Sequence, residues 1–167
     1  MTEGRNRPPE AGPQGVSLIA PGTPVPEFTL KTEDLEDFTR ADLEGRTTVL
    51  VFYPGAFSPV CTDQLQVYEE VVDELRAQGV EMYGVSCDGV FSQKAFREKL
   101  NVSIPQLSDF HPKGEASRAF GAYFEPGGFS NRALVIVGPD QVVQWSYVAD
   151  SPGDLPGVNL IVDALAT

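Results

Sequence analysis

The sequence predicts one α/β domain built on a mixed β-sheet with helices on both faces. Three observations lead there. Two apolar, β-branched runs, Thr47–Tyr53 and Val80–Cys87, read as buried strands. Between them, from Ser58 to about Gln78, apolar residues recur at helical spacing, so strand, helix and strand alternate. Later, Asn131–Val137 and Gln141–Val148 read as strands joined across Gly138-Pro139-Asp140, a hairpin that brings antiparallel pairing into the sheet.

Residues 1–20 are rich in Gly, Pro and polar residues and read as a disordered tail, leaving 21–167 as the domain. Pro21–Pro26 is an extended approach, and Phe28–Lys31 and Asp37–Thr39 are short strands of a hairpin across an acidic turn. Ala41–Gly45 is a loop or single helical turn. In the long helix Leu65, Tyr68, Val72 and Leu75 face the core, while Glu69, Glu70, Asp73 and Glu74 form a solvated face; Gly79 supplies the left-handed residue after its end. Asp88-Gly89 breaks the second strand. Phe91–Leu100 is an amphipathic helix with Phe91, Ala95, Phe96 and Leu100 turned inward. Ile104–Asp109 is extended, Glu115–Phe120 is a short helix ended by Gly121, and Leu160–Ala166 is a closing helix.

The chain has 167 residues, a formal net charge of −12 and a pI near 4.4. No basic patch offers itself to nucleic acid or to an anionic membrane, so neither is an expected partner. Val16–Ala20 is too short for a signal peptide or a membrane span. With two widely separated cysteines and no leader, the expected compartment is a reducing cytoplasm rather than one that builds disulfide scaffolds. Cys61, Cys87 and His111 are too few and too badly spaced for a structural metal site, and no cofactor is implied.

The chemistry concentrates after the first buried strand. Pro54-Gly55 ends that strand, Ser58 stands at the N-cap of the following helix, and Pro59 occupies its first position, where a missing N–H costs nothing. Cys61 is then the third helical residue, among backbone N–H groups without intrahelical acceptors. Those groups and the positive helix end favour thiolate over thiol, which makes Cys61 a candidate nucleophile.

The stretch Tyr53-Pro-Gly-Ala-Phe-Ser-Pro-Val-Cys-Thr62 resembles the peroxidatic motif of the peroxiredoxins: Pro54, three residues, Ser58 in place of the commoner Thr, two residues, Cys61. The resemblance implies a thioredoxin-like fold and a thiol-dependent peroxidase, an antioxidant oxidoreductase whose Cys61 is oxidised by hydrogen peroxide or an organic hydroperoxide to a sulfenic acid. It implies that Ser58 gives a hydroxyl to thiolate or peroxide and that Pro54 shields the pocket floor. It also implies an arginine on a later strand, which Phe129-Ser-Asn-Arg132-Ala-Leu-Val-Ile-Val137 supplies; a guanidinium there lowers the cost of thiolate and polarises the peroxide. Arg97 and Arg118 read as surface residues. Some positions depart from the wider family. Gln64 stands where many members carry Glu, no second arginine occurs in residues 146–156, Gln66 replaces the cysteine of helix-resolving members, and no C-terminal resolving cysteine is present. With Pro105–Gly114, Phe120-Gly121 and Ser130–Arg132, these features resemble the one-cysteine, AhpE-type members over roughly Pro21–Ala166.

That resemblance implies recycling by an external thiol (thioredoxin, a glutaredoxin-like protein or a small thiol) and a homodimer or larger homo-oligomer. The competing reading is a redox sensor or chaperone-like protein using the same reversible oxidation. A thioredoxin-type disulfide oxidoreductase is disfavoured because no cysteine lies three residues from Cys61. Cys87 is the other thiol in the sequence, and its expected state is a small buried side chain rather than a resolving partner.

Overall fold

The computed structural model describes residues 17–151 and 153–166. In chain order the strands are β1 (Thr29–Lys31), β2 (Asp37–Thr39), β3 (Thr47–Phe52), β4 (Val80–Ser86), β5 (Gln106–Ser108), β6 (Tyr123–Phe124), β7 (Phe129–Ser130), β8 (Ala133–Val137) and β9 (Val143–Val148). The helices are α1 (Pro59–Ala77), α2 (Val90–Leu100), α3 (Glu115–Ala119) and α4 (Val158–Leu165), with a 3-10 turn at Arg40–Leu43.

Seven strands form one sheet in the order β2-β1-β5-β4-β3-β8-β9, with β6 and β7 as a separate hairpin. β3 runs parallel to β4 and β4 to β5, whereas β8 is antiparallel to both β3 and β9. The expected mixed sheet is therefore present. β3 lies inside it, and Val49–Phe52 are completely buried, which is why that run is apolar without alternation. Val49, Val51 and Tyr53 turn towards Leu65, Tyr68, Val72 and Leu75 of α1, Phe96 of α2 and Ile161 of α4. Leu50 and Phe52 turn the other way, towards Phe28, Leu30, Phe38, and Ala116 and Phe120 at α3. Helices thus cover both faces, three against one.

The long helix follows its sequence closely, ending in Gly79 at φ +79. The inward face of α2 differs from expectation. Phe91 is 79% exposed and Ala95 is exposed, while Gln93 and Phe96 are buried. Gln93 can enter because its amide donates to Ser86 Oγ (2.8 Å) and the Leu107 carbonyl (2.9 Å), partners from β4 and β5.

Of the expected tail, residues 1–16 lie outside the described residues. Ser17–Ala20 pack on the domain: Leu18 is buried in the core, and the Ile19 N–H donates to the Phe120 carbonyl at 2.9 Å. Gly121 permits this approach, because a Cβ there would come within 2.1 Å of the Ser17 carbonyl oxygen. Among the described residues no helix is long and apolar enough to cross a membrane.

Candidate functional site

The site forms where β3 leaves the sheet. The Tyr53 N–H still donates to the Val85 carbonyl (3.0 Å), and its buried hydroxyl donates to Gln106 Oε1 (2.6 Å). Half-buried Pro54 then turns the chain out, and Phe57 adopts φ +68 with its ring against Phe96, centroids 5.2 Å apart. Ser58 is the N-cap residue, extended at φ −69 and ψ 147, with Pro59 behind it and the first helical bond from Thr62 N–H to its carbonyl at 3.0 Å. Its hydroxyl makes no cap bond. The oxygen is buried and has no hydrogen-bond partner among the described residues, so it is free to bond a group that enters the site.

Cys61, the third residue of α1, is completely buried. Arg132 comes to it from the strand beyond. Because β8 pairs antiparallel with β3, with Ala133 opposite Phe52, the residue before Ala133 lies beside the exit of β3. Asn131 fixes that entrance through its N–H (2.7 Å) and side-chain amide (3.1 Å), both on the Ala122 carbonyl. The Arg132 guanidinium, 2% exposed, donates from Nη2 to Cys61 Sγ at 3.2 Å and from Nη1 to Gln64 Oε1 at 2.6 Å. Gln64 Nε2 donates in turn to Tyr68 Oη (3.1 Å), and Tyr68 donates to the Pro156 carbonyl (2.6 Å).

The structure therefore brings Cys61 and Arg132 into direct contact, with Ser58 one helical turn before the sulfur and Pro54 at the start of the intervening turn. Gln64 hydrogen-bonds Arg132 without adding charge. Tyr68, expected only as core, closes the network; its signal was a hydroxyl on the buried stripe that also carries Cys61 and Gln64. Burial pushes the Tyr68 hydroxyl up to about 12, against the opposing effects of Gln64 and the Arg132 charge, so it keeps its proton and stays a hydrogen-bond donor to the Pro156 carbonyl. Arg97 and Arg118 are engaged elsewhere, with Glu33 and Glu125, and His111 is exposed.

A model of the AhpC/TSA family matches residues 21–146. The chain is a peroxiredoxin. Alkyl hydroperoxide reductase C of Amphibacillus xylanus is 36% identical over 135 residues, covering 77% of this chain and 71% of that protein. Alkyl hydroperoxide reductase E of Mycobacterium tuberculosis is 27% identical over 150 residues, covering 89% and 97%. The crystal structure of Enterococcus faecalis AhpC superposes with a TM-score of 0.80 at 26% identity, covering 87% and 90%. The fold is thus thioredoxin-like, and this peroxiredoxin is a peroxidase oxidoreductase.

Its second thiol, Cys87, directly follows β4 and has Asp109 and Ser117 of α3 as neighbours. It continues the parity of Tyr83 and Val85, which face Phe38, Phe52 and α3, whereas Cys61 belongs to the cluster under α1. Burial, reinforced by the nearby Asp109 carboxylate, pushes the Cys87 thiol up to about 11, so it stays protonated at neutral pH.

Proposed function

We propose that Cys61 is the peroxidatic residue and that an external thiol recycles it. The observation that carries this reading is the buried Cys61 sulfur 3.2 Å from Arg132 Nη2, in the first turn of α1. The thiolate attacks the terminal oxygen of the hydroperoxide. An S–O bond forms as the O–O bond breaks, sulfur gives up two electrons, and the leaving alkoxide or hydroxide takes a proton to become alcohol or water. Arg132 steadies the anion before and after attack, and the unpartnered Ser58 hydroxyl is available to donate to the peroxide or the leaving oxygen. Pro54, where the chain leaves β3, shields the floor of the site.

The product at Cys61 is a sulfenic acid. Cys87 is poorly placed to condense with it, since β3 and β4 separate the two sulfurs onto opposite faces, so a thiol from outside reduces the sulfenic acid through a mixed disulfide. Hydrogen peroxide and organic hydroperoxides are the substrate class, and the active form is a homodimer or larger assembly.

The test is peroxide consumption with supplied thiols, paired with mass spectrometry after one equivalent of peroxide and dimedone. Wild type and Cys87→Ser should both turn over and both carry a dimedone adduct on Cys61, and Cys61→Ser should do neither. Consumption by Cys61→Ser at the wild-type rate refutes the assignment. A single oxidation without turnover on any reductant favours a sensor.

A further inference from the structure

The turn that carries the nucleophile is tied to the sheet by one side chain. Asp88 follows β4, and its Oδ2 accepts the Ala56 N–H at 2.7 Å. Among the described residues no other backbone N–H of Pro54–Phe57 reaches outside the turn; the Ser58 N–H folds back onto the Gly55 carbonyl at 3.4 Å. The turn needs holding, because Phe57 sits at φ +68, a region that a bulky residue resists. Asp88 is itself fixed from three elements. Ser86 of β4 donates its hydroxyl to the same Oδ2 (2.7 Å), and Gln93 of α2 donates to that Ser86 hydroxyl (2.8 Å). Ser108 of β5 donates to the Asp88 carbonyl at 2.6 Å.

We propose that Asp88 is a positioning residue for peroxide reduction: it holds the Pro54–Phe57 turn, and through it Ser58 and the first turn of α1, in the geometry from which Cys61 attacks. The inference rests on the reading of Cys61 as the peroxidatic residue. Asp88 acts as a hydrogen-bond acceptor here. Its negative charge works against a thiolate on the neighbouring turn, so neutralising it while keeping the acceptor costs nothing in positioning.

The experiment compares wild type, Asp88→Asn, Asp88→Ala and Ser86→Ala in two reactions of Cys61. One is the second-order rate with hydrogen peroxide, which needs the assembled turn. The other is the rate of iodoacetamide alkylation, followed at Cys61 by peptide mass spectrometry, which needs only an accessible thiolate. In Asp88→Ala the peroxide rate should fall roughly tenfold, while alkylation of the otherwise buried Cys61 rises severalfold. Asp88→Asn, whose amide oxygen can accept both bonds, should stay within about twofold of wild type in both arms. Ser86→Ala removes one fixing of the carboxylate and should move both arms in the direction of Asp88→Ala by less, which keeps the test open if Asp88→Ala folds poorly. Unchanged rates in Asp88→Ala and Ser86→Ala overturn the proposal, as does loss of the peroxide rate in Asp88→Asn equal to that in Asp88→Ala. Wild type that ignores peroxide refutes the function of Cys61, and the alkylation arm then still decides whether Asp88 holds the turn.

Discussion

Replacing Arg132 probes the heart of the site. At 3.2 Å, a unit charge pair in an environment of effective dielectric 20 attracts by about 5 kcal/mol. That figure is a ceiling, because a buried guanidinium has given up its hydration. A hydrogen bond to a charged partner is worth about 1.5–3 kcal/mol net. Taking about 2–3 kcal/mol as the part lost from the attack barrier, Arg132→Met should slow peroxide oxidation roughly 30- to 150-fold. Arg132→Lys keeps the charge but not the planar fork that reaches Sγ and Gln64 Oε1 together, so its rate should fall between the two. Rapid mixing with peroxide, followed by fluorescence of Trp145, reads the step, since the chain's single tryptophan packs against the same apolar cluster as Cys61. Circular dichroism checks that each variant is folded. A rate for Arg132→Met within twofold of wild type would refute the role assigned to the guanidinium.

Three further outcomes follow from the same geometry. Ser58→Ala removes a buried hydroxyl that has no partner among the described residues, so denaturant titration should show little change or a slight gain in stability, while the peroxide rate falls about tenfold or more. Tyr68→Phe leaves Gln64 Nε2 and the Pro156 carbonyl without the bridging hydroxyl, and urea unfolding should show a loss of about 1–3 kcal/mol with a smaller drop in rate. Cys87 keeps its proton up to about 11 in the folded chain, whereas the unfolded thiol ionises near 8.5. The unfolded state therefore binds fewer protons between those limits, and stability falls as pH rises, by at most about 1.4 kcal/mol per pH unit from this group. Urea titrations at pH 8.5 and 10.5 should show a smaller alkaline loss in Cys87→Ala than in wild type.

Sequence alone reached the elements whose signals are local. β3 is a run buried on both faces, and α1 carries an uninterrupted stripe, a proline at its start and a glycine past its end; each stands out without knowledge of the fold. Gln93 shows where that reading stops. A glutamine reads as outward until Ser86 and Leu107 arrive from two strands to satisfy its amide, and Phe91 reads as inward but is exposed. Leu18 and Ile19 look like a tail because the groups that hold them, Phe120 and Ser146, lie about a hundred residues on. The β6–β7 hairpin has two-residue strands, shorter than any periodicity can mark. The site divides in the same way. Cys61, Ser58 and Pro54 lie on one continuous stretch, and Arg132 was carried by resemblance. The Tyr68 bond to Pro156 and the Asp88 bond to Ala56 are non-local and needed the structure.

The two cysteines show how much one residue of parity decides. Both follow the carboxyl ends of neighbouring parallel strands, so both lie at one edge of the sheet. Along β3, Val49, Val51 and Tyr53 face α1, and the helix that begins after the turn lays Cys61 on that same face. Along β4, Tyr83 and Val85 face away from α1, and Cys87 continues their alternation towards Ser117 of α3 and Asp109. A disulfide would require Cα atoms within about 7 Å and side chains aimed at each other. Here the two residues share an edge but the alternation aims Cys87 away from the face that holds Cys61, so bonding would demand a one-residue slip of β4, which would turn Val85 out of its core, or loss of the first turn of α1 with its Arg132 contact. Either change dismantles packing that the rest of the domain depends on. On the mechanism proposed, an outside thiol has to reach Cys61 but needs no re-aimed strand, which is why the reducing equivalent is assigned to an outside molecule rather than to Cys87.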